Sequence, residues 1–125
     1  MPLRLAPLWW SLGALFVGTD VVLSLAPPGD GPPLLPDKFV HFATYFFLAF
    51  WFVSLARRAR AVALAGVLLL GGALELLQGL TPMRQPDWLD MLANTSGALL
   101  ALMIVAFLPV NIFAWFERRL TAMQT

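Results

Sequence analysis

A chain of 125 residues of which 60% are hydrophobic and 12% charged is not built for water. Ordinary soluble domains carry about 25% charged residues, and here the mean hydropathy is +0.80. The absence of cysteine excludes disulfides, thiolate metal sites and thiol nucleophiles. The length suits one domain over residues 1–125, and the net charge of +1 excludes no partner class by itself.

Four apolar segments follow in order: Pro7–Ala26, Lys38–Ala56, Ala61–Leu80 and Leu89–Leu108. Each is close to the roughly 20 residues that cross a bilayer as a helix. Lipid tolerates no unpaired backbone polar group, so each is predicted helical even where β-branched and aromatic residues crowd the second. The expected fold is an all-α bundle of four transmembrane helices. Arg4, Arg57, Arg58, Arg60, Arg118 and Arg119 fall at the N-terminus, the second linker and the C-terminus. Only Lys38 and Arg84 fall on the other side, so the positive-inside rule places both termini in the cytoplasm. The Ala26–Pro36 linker is too proline-rich for regular structure. A rival reading takes the first segment as a cleaved signal peptide with Ser24-Leu25-Ala26 as its small-residue site, against which stand its length and Asp20. After Val110, Trp115, Phe116, Arg118 and Arg119 suit an interfacial end to the last helix.

The polar residues are concentrated in a few places. Asp37, His41 and Tyr45 recur at i, i+4, i+8 and share one helical stripe. With a rise of 1.5 Å per residue, His41 lies roughly 5 Å and Tyr45 roughly 10 Å below the start of the second helix. Glu75 and Gln78, on the third, lie about 8 and 3 Å below its outer end, and Asn94 about 8 Å into the fourth. Asp90, Asn94 and Gly97 form a stripe of their own. The short connection carrying Arg84 and Asp87 makes the last two helices antiparallel neighbours, so three polar faces meet in one outer layer. An ionisable group within a span costs about 2.5–3.5 kcal/mol on insertion scales. Glu75, flanked by Ala73, Leu74, Leu76 and Leu77, therefore needs a partner; His41, Arg84 and Lys38 are the cations on that side.

The ordered set Asp37-Lys38…His41-Phe42…Tyr45, then Glu75…Gln78, then Arg84…Asp87…Asp90…Asn94…Gly97 resembles the VanZ-like family of small bacterial membrane proteins. The resemblance runs from Pro36 to about Leu102 and leaves the first helix, with Asp20, and the C-terminal tail unmatched. The family takes its name from a protein associated with low-level resistance to the glycopeptide teicoplanin. The resemblance implies a multi-pass protein of the bacterial cytoplasmic membrane with a role in the cell envelope, and it carries over no mechanism.

Each candidate has a structural reading beside the functional one. Asp37, after Pro36, reads first as an N-cap. Asp87 and Asp90 have capping-box-like spacing, one of them structural, with Asp90 nearer the polar stripe. Lys38 is expected to snorkel to the interface. Arg84 can anchor phosphate or carboxylate. His41 pairs in depth with Glu75; Tyr45, Gln78 and Asn94 read as interhelical hydrogen bonders. Ala93-x-x-x-Gly97-x-x-x-Ala101 reads as a packing stripe, and Trp9, Trp10, Trp88 and Trp115 as interfacial belts. Asp20 either completes the polar cavity or flanks its mouth.

Three function classes fit. A binding protein would grip an envelope-lipid head or lipid-linked cell-wall precursor at the outer leaflet through Asp37, Lys38, His41, Tyr45, Glu75, Gln78, Arg84, Asp87, Asp90 and Asn94. An intramembrane hydrolase or transferase would use His41 with Glu75 or Asp90 as acid and base. A structural protein would serve a larger envelope partner or its own oligomer. Binding is preferred. No cofactor is expected, and a metal on Asp37, His41, Glu75 and Asp90 is the weaker form of the enzyme reading, since one histidine is a thin ligand set. No elbow surrounds Ser96, no glycine-rich phosphate loop is present, and no basic patch can track nucleic acid.

Overall fold

In a computed structural model describing residues 3–82 and 84–123, the chain is all-helical, with no strand among the described residues. The helices are α1 (Ala6–Leu25), α2 (Asp37–Leu55), α3 (Arg60–Gly79), α4 (Trp88–Phe107) and α5 (Ile112–Ala122). The first four are long and apolar enough to cross a membrane, and each begins and ends within one residue of the segment read from the sequence. Their flanks carry large apolar side chains facing outward, among them Val62, Leu69, Leu76 and Phe107. Such a surface is an aggregation hazard in water and the ordinary coat of a bundle in lipid.

Short connections make α2 and α3, and then α3 and α4, antiparallel neighbours; α2 and α4 therefore run parallel. These two make the most extensive helix contact in the bundle. The small residues of α4 permit it. A Cβ at Gly97 would fall inside the Phe42 carbonyl and lie 3.0 Å from the Phe46 nitrogen, both α2 backbone atoms. Ala98 and Ala101 are fully buried and join Tyr45, Leu48, Ala49 and Val67 in the core. The stripe read as packing is therefore a packing stripe.

One end of the bundle holds the α1–α2 and α3–α4 connections and is called here the pocket end. The other, basic end holds the α2–α3 connection with Arg57 and Arg58, the start of α3 with Arg60, and α5. The last transmembrane helix ends where its apolar segment was read to end, but Trp115, Phe116, Arg118 and Arg119 do not form its interfacial end. It stops at Phe107, ahead of Pro109, and α5 starts afresh with Asn111 as its cap, Oδ1 accepting from the Phe113 N–H at 2.9 Å. The Asn111 amide also donates to the Ser54 carbonyl at the end of α2, 3.1 Å. Farther along α5, the Glu117 carboxylate accepts from the backbone N–H groups of Arg4 (2.7 Å) and Leu5 (3.0 Å) and from the Trp9 indole (2.9 Å). α1 has no side-chain cap of its own, and a buried carboxylate from α5 takes the N–H of its cap residue Leu5 and of Arg4 before it, at the positive end of the helix. Trp9 thereby belongs to a cluster with Trp51 and Phe113.

Candidate functional site

At the pocket end, the first turn of α2 faces the first turns of α4. Asp37 is not the cap of α2: Pro36 holds that position and no side chain caps it. Asp37 is the first helical residue, largely exposed, and its carboxylate lies 4.0 Å from the Lys38 ammonium and 3.8 Å from His41 Nε2. Lys38, read as an interfacial cation, is half-exposed and has partners on another helix. Its ammonium bridges the carboxylates of Asp87 and Asp90, pinning α2 to the start of α4. Asp87 is the cap of α4, Oδ1 accepting from the Leu89 N–H at 2.9 Å. The Lys38 ammonium and that N–H together hold the Asp87 carboxyl below its ordinary range.

Glu75 is 3% exposed, as its insertion cost requires. Its partner, however, is none of the three cations named from the sequence. Oε1 accepts from the backbone N–H of Asp87 at 2.9 Å. That amide would receive the second half of a capping box, a bond Asp90 would supply from its own helix. With α3 supplying it, Asp90 is left to hold Lys38 and to face His41 Nε2 at 3.7 Å. The other ring nitrogen, Nδ1, lies 3.0 Å from Asn94 Oδ1, an acceptor that makes Nδ1 the donor. The carboxylates around His41 are thus Asp37 and Asp90, not Glu75.

Across from this wall, Tyr45 donates to Asp20 Oδ2 and Ser24 to Asp20 Oδ1, each at 3.3 Å. Tyr45 fits because Gly71 leaves room for its ring: a Cβ there would sit 2.7 Å from Tyr45 Cε1. Gln78 donates through Nε2 to the Ser24 carbonyl at 2.8 Å. Tyr45, Gln78 and Asn94 are all interhelical hydrogen bonders, as their spacing indicated.

Between the walls lies a cavity of about 520 Å³. Asp37, His41, Tyr45, Glu75, Gln78, Arg84 and Asn94 line it, whereas Lys38, Asp87 and Asp90 form the ion cluster beside it. Asp20 lines it too, which decides between the two roles left open for that residue. Ser24, Thr19 and Thr44 also line it and were not marked from the sequence; small hydroxyls bonding to their own helix are common in spans, and only their neighbours distinguish these. Arg84 also borders a smaller hollow of about 210 Å³ beside Pro27, Pro28 and Thr81, so it stands at the rim. Its guanidinium takes part in no ion pair among the described residues. Ser96 lies elsewhere, exposed and bonded to the Leu92 carbonyl.

For metal chemistry, Asp37, His41 and Asp90 bring one ligand atom each within 4.8 Å of one another, with Glu75 outside the group. Asp90 is already engaged by Lys38.

The sequence model of the VanZ/LLP1 family matches residues 8–109. The chain belongs to the VanZ/LLP1 family. The match takes in α1 through α4, so α1, which seemed to carry no family pattern, lies within the VanZ/LLP1 domain and supplies Asp20 and Ser24 to its cavity. No curated protein and no solved structure matches the chain significantly. Four membrane-capable helices together with the family match make this a VanZ-like membrane protein.

Proposed function

We propose that the protein binds the polar head of an envelope lipid or lipid-linked cell-wall precursor, in the outer leaflet of a bacterial cytoplasmic membrane and with both termini cytoplasmic. The observation that carries this reading is Arg84: a cation with no ion pair among the described residues, at the rim of a polar cavity inside an apolar bundle. A guanidinium in that place matches the bidentate geometry of phosphate or carboxylate. A cavity of about 520 Å³ lies within the range of roughly 300–1,000 Å³ typical of small-ligand sites. Lys38, first expected to share the anion, is committed to Asp87 and Asp90 and leaves Arg84 to hold it. The teicoplanin association that gives the family its name fits a ligand from cell-wall synthesis.

The test is lipid retention. The full chain and its Arg84→Ala variant are purified in mild detergent, and the lipids each carries are quantified by mass spectrometry. The variant should keep its melting temperature and retain about tenfold less lipid, the ratio corresponding to ~1.4 kcal/mol. Equal retention would remove the basis of the reading.

A hydrolase or transferase is the second reading, favoured by His41 Nε2 lying between Asp37 and Asp90 at 3.8 and 3.7 Å. It requires His41→Ala to abolish turnover of a lipid that the folded variant still retains. The third, a structural part of a larger envelope assembly or oligomer, requires that both substitutions act only through stability.

A further inference from the structure

The cavity is lined for more than an anion. Its wall carries the carboxylates of Asp20, Asp37 and Glu75 against one fixed cation, Arg84. Neither Asp20 nor Glu75 forms an ion pair among the described residues. Among the described residues, Asp20 is held only by the hydroxyls of Tyr45 and Ser24, and Glu75 only by the Asp87 N–H, through Oε1. Carboxylates set inside spans call for a counter-charge. The chain's single lysine, Lys38, already serves Asp87 and Asp90.

From this arrangement we infer that the ligand is a phosphate bearing a primary ammonium, its phosphate on Arg84 and its ammonium between Asp20 and Glu75. The inference rests on the head-group reading above and names the chemistry that reading leaves open. The order along the bundle agrees with it. Arg84 is on the α3–α4 connection, whereas Glu75 and Asp20 sit about one turn inside the ends of α3 and α1. An ammonium offers three N–H donors, and the wall offers acceptors from three residues. These are Asp20, Glu75 Oε2, and Gln78 Oε1, whose companion Nε2 is taken by the Ser24 carbonyl. A quaternary ammonium has no N–H to give them, and an acylated amine has no charge.

The experiment uses the full chain in detergent and native mass spectrometry, with phosphatidylethanolamine, its N-acetylated derivative, phosphatidylcholine and phosphatidylglycerol of matched acyl chains. Phosphatidylethanolamine should bind about tenfold tighter than each of the other three, a preference that needs no variant to observe. In Asp20→Asn/Glu75→Gln, provided it melts cooperatively, phosphatidylethanolamine should fall to the level of its N-acetylated form. If phosphatidylglycerol or the N-acetylated lipid binds the wild type as well, and Arg84→Ala weakens them all, the ammonium assignment is overturned and the head-group reading stands. If no lipid responds to Arg84→Ala, both fall. Water-soluble glycerophosphoethanolamine separates the sources: displacement of the lipid at equal concentration overturns a lipid as the ligand, and failure to displace supports it.

Discussion

Position 97 of α4 shows how little room this bundle leaves for change. Gly97 lies against the Phe42 carbonyl and the Phe46 nitrogen, neither of which can move without bending α2. Gly97→Ala should therefore cost about 1–3 kcal/mol, the usual penalty for overpacking a close contact. The matched control is Gly66→Ala in α3, where a Cβ meets nothing within 4 Å and helix propensity favours alanine by about 0.5–1 kcal/mol. Thermal melting in detergent should lower the midpoint for the first and leave or raise it for the second; equal midpoints would mean that α2 and α4 are not packed this closely. The small-residue spacing announced this contact. The partner of Glu75 was not announced in the same way. Burial cost says that a carboxylate in a span needs a donor, but not whether a cation or a backbone amide supplies it. Here it is the Asp87 N–H, a group every residue but proline carries and no sequence pattern marks. The partners of Lys38 went unmarked for a related reason, since its sequence neighbours do not reveal that two carboxylates of the α4 start meet it.

Among the elements, α1 is the least embedded of the four spans, with Gly13 its one buried residue. What holds it runs along its length: Asp20 and Ser24 at the pocket, Phe16 against Phe47 and Trp51 at mid-helix, and Glu117 with the Trp9 cluster at the base. Burial acts to raise the Glu117 carboxyl. The N–H groups of Leu5, Trp9 and Arg4 and the Arg4 charge outweigh it, so the group titrates below its ordinary 4.5. A carboxyl depressed in the fold contributes stability above its unfolded pKa and loses it as pH falls through the folded value. Glu117→Gln should cost about 1 kcal/mol at neutral pH, the scale of a lost helix cap. The gap to wild type should close below pH 4.5 as the native carboxyl is protonated. Asp87 is depressed as well and titrates in both proteins, so the difference isolates Glu117. Melting followed by tryptophan fluorescence from neutral pH down to about pH 3 reads the effect; a gap constant with pH would assign Glu117 no charged role. The four spans were legible to within one residue because the bilayer sets their length. α5 was not, because Pro109 and Asn111 end one helix and start another within an apolar run, and only the fold shows what the second one covers.

For the molecule as a whole, the distribution of charge orders both the site and the membrane. Arg57 and Arg58 lie on the α2–α3 connection, Arg60 at the start of α3 and Arg118 and Arg119 on α5, all at the end opposite Lys38 and Arg84. An even number of spans forces that grouping once four helices are accepted, and for this reason the layout of the polar cavity could be read before any contact was known. Which end faces the cytoplasm is a separate question, set during insertion by the basic residues. The chain contains no cysteine, so a single introduced thiol reports one position without background. Leu34 on the α1–α2 connection is 101% exposed and forms no part of the cavity wall, and Arg58 is exposed on the α2–α3 connection. In intact bacterial spheroplasts a membrane-impermeant maleimide should label Leu34→Cys and leave Arg58→Cys unmodified until the membrane is opened. The reverse pattern would put the cavity at the cytoplasmic face, where Arg84 would meet soluble phosphates and inner-leaflet lipids, and the proposal of an outer-leaflet ligand would fail with it.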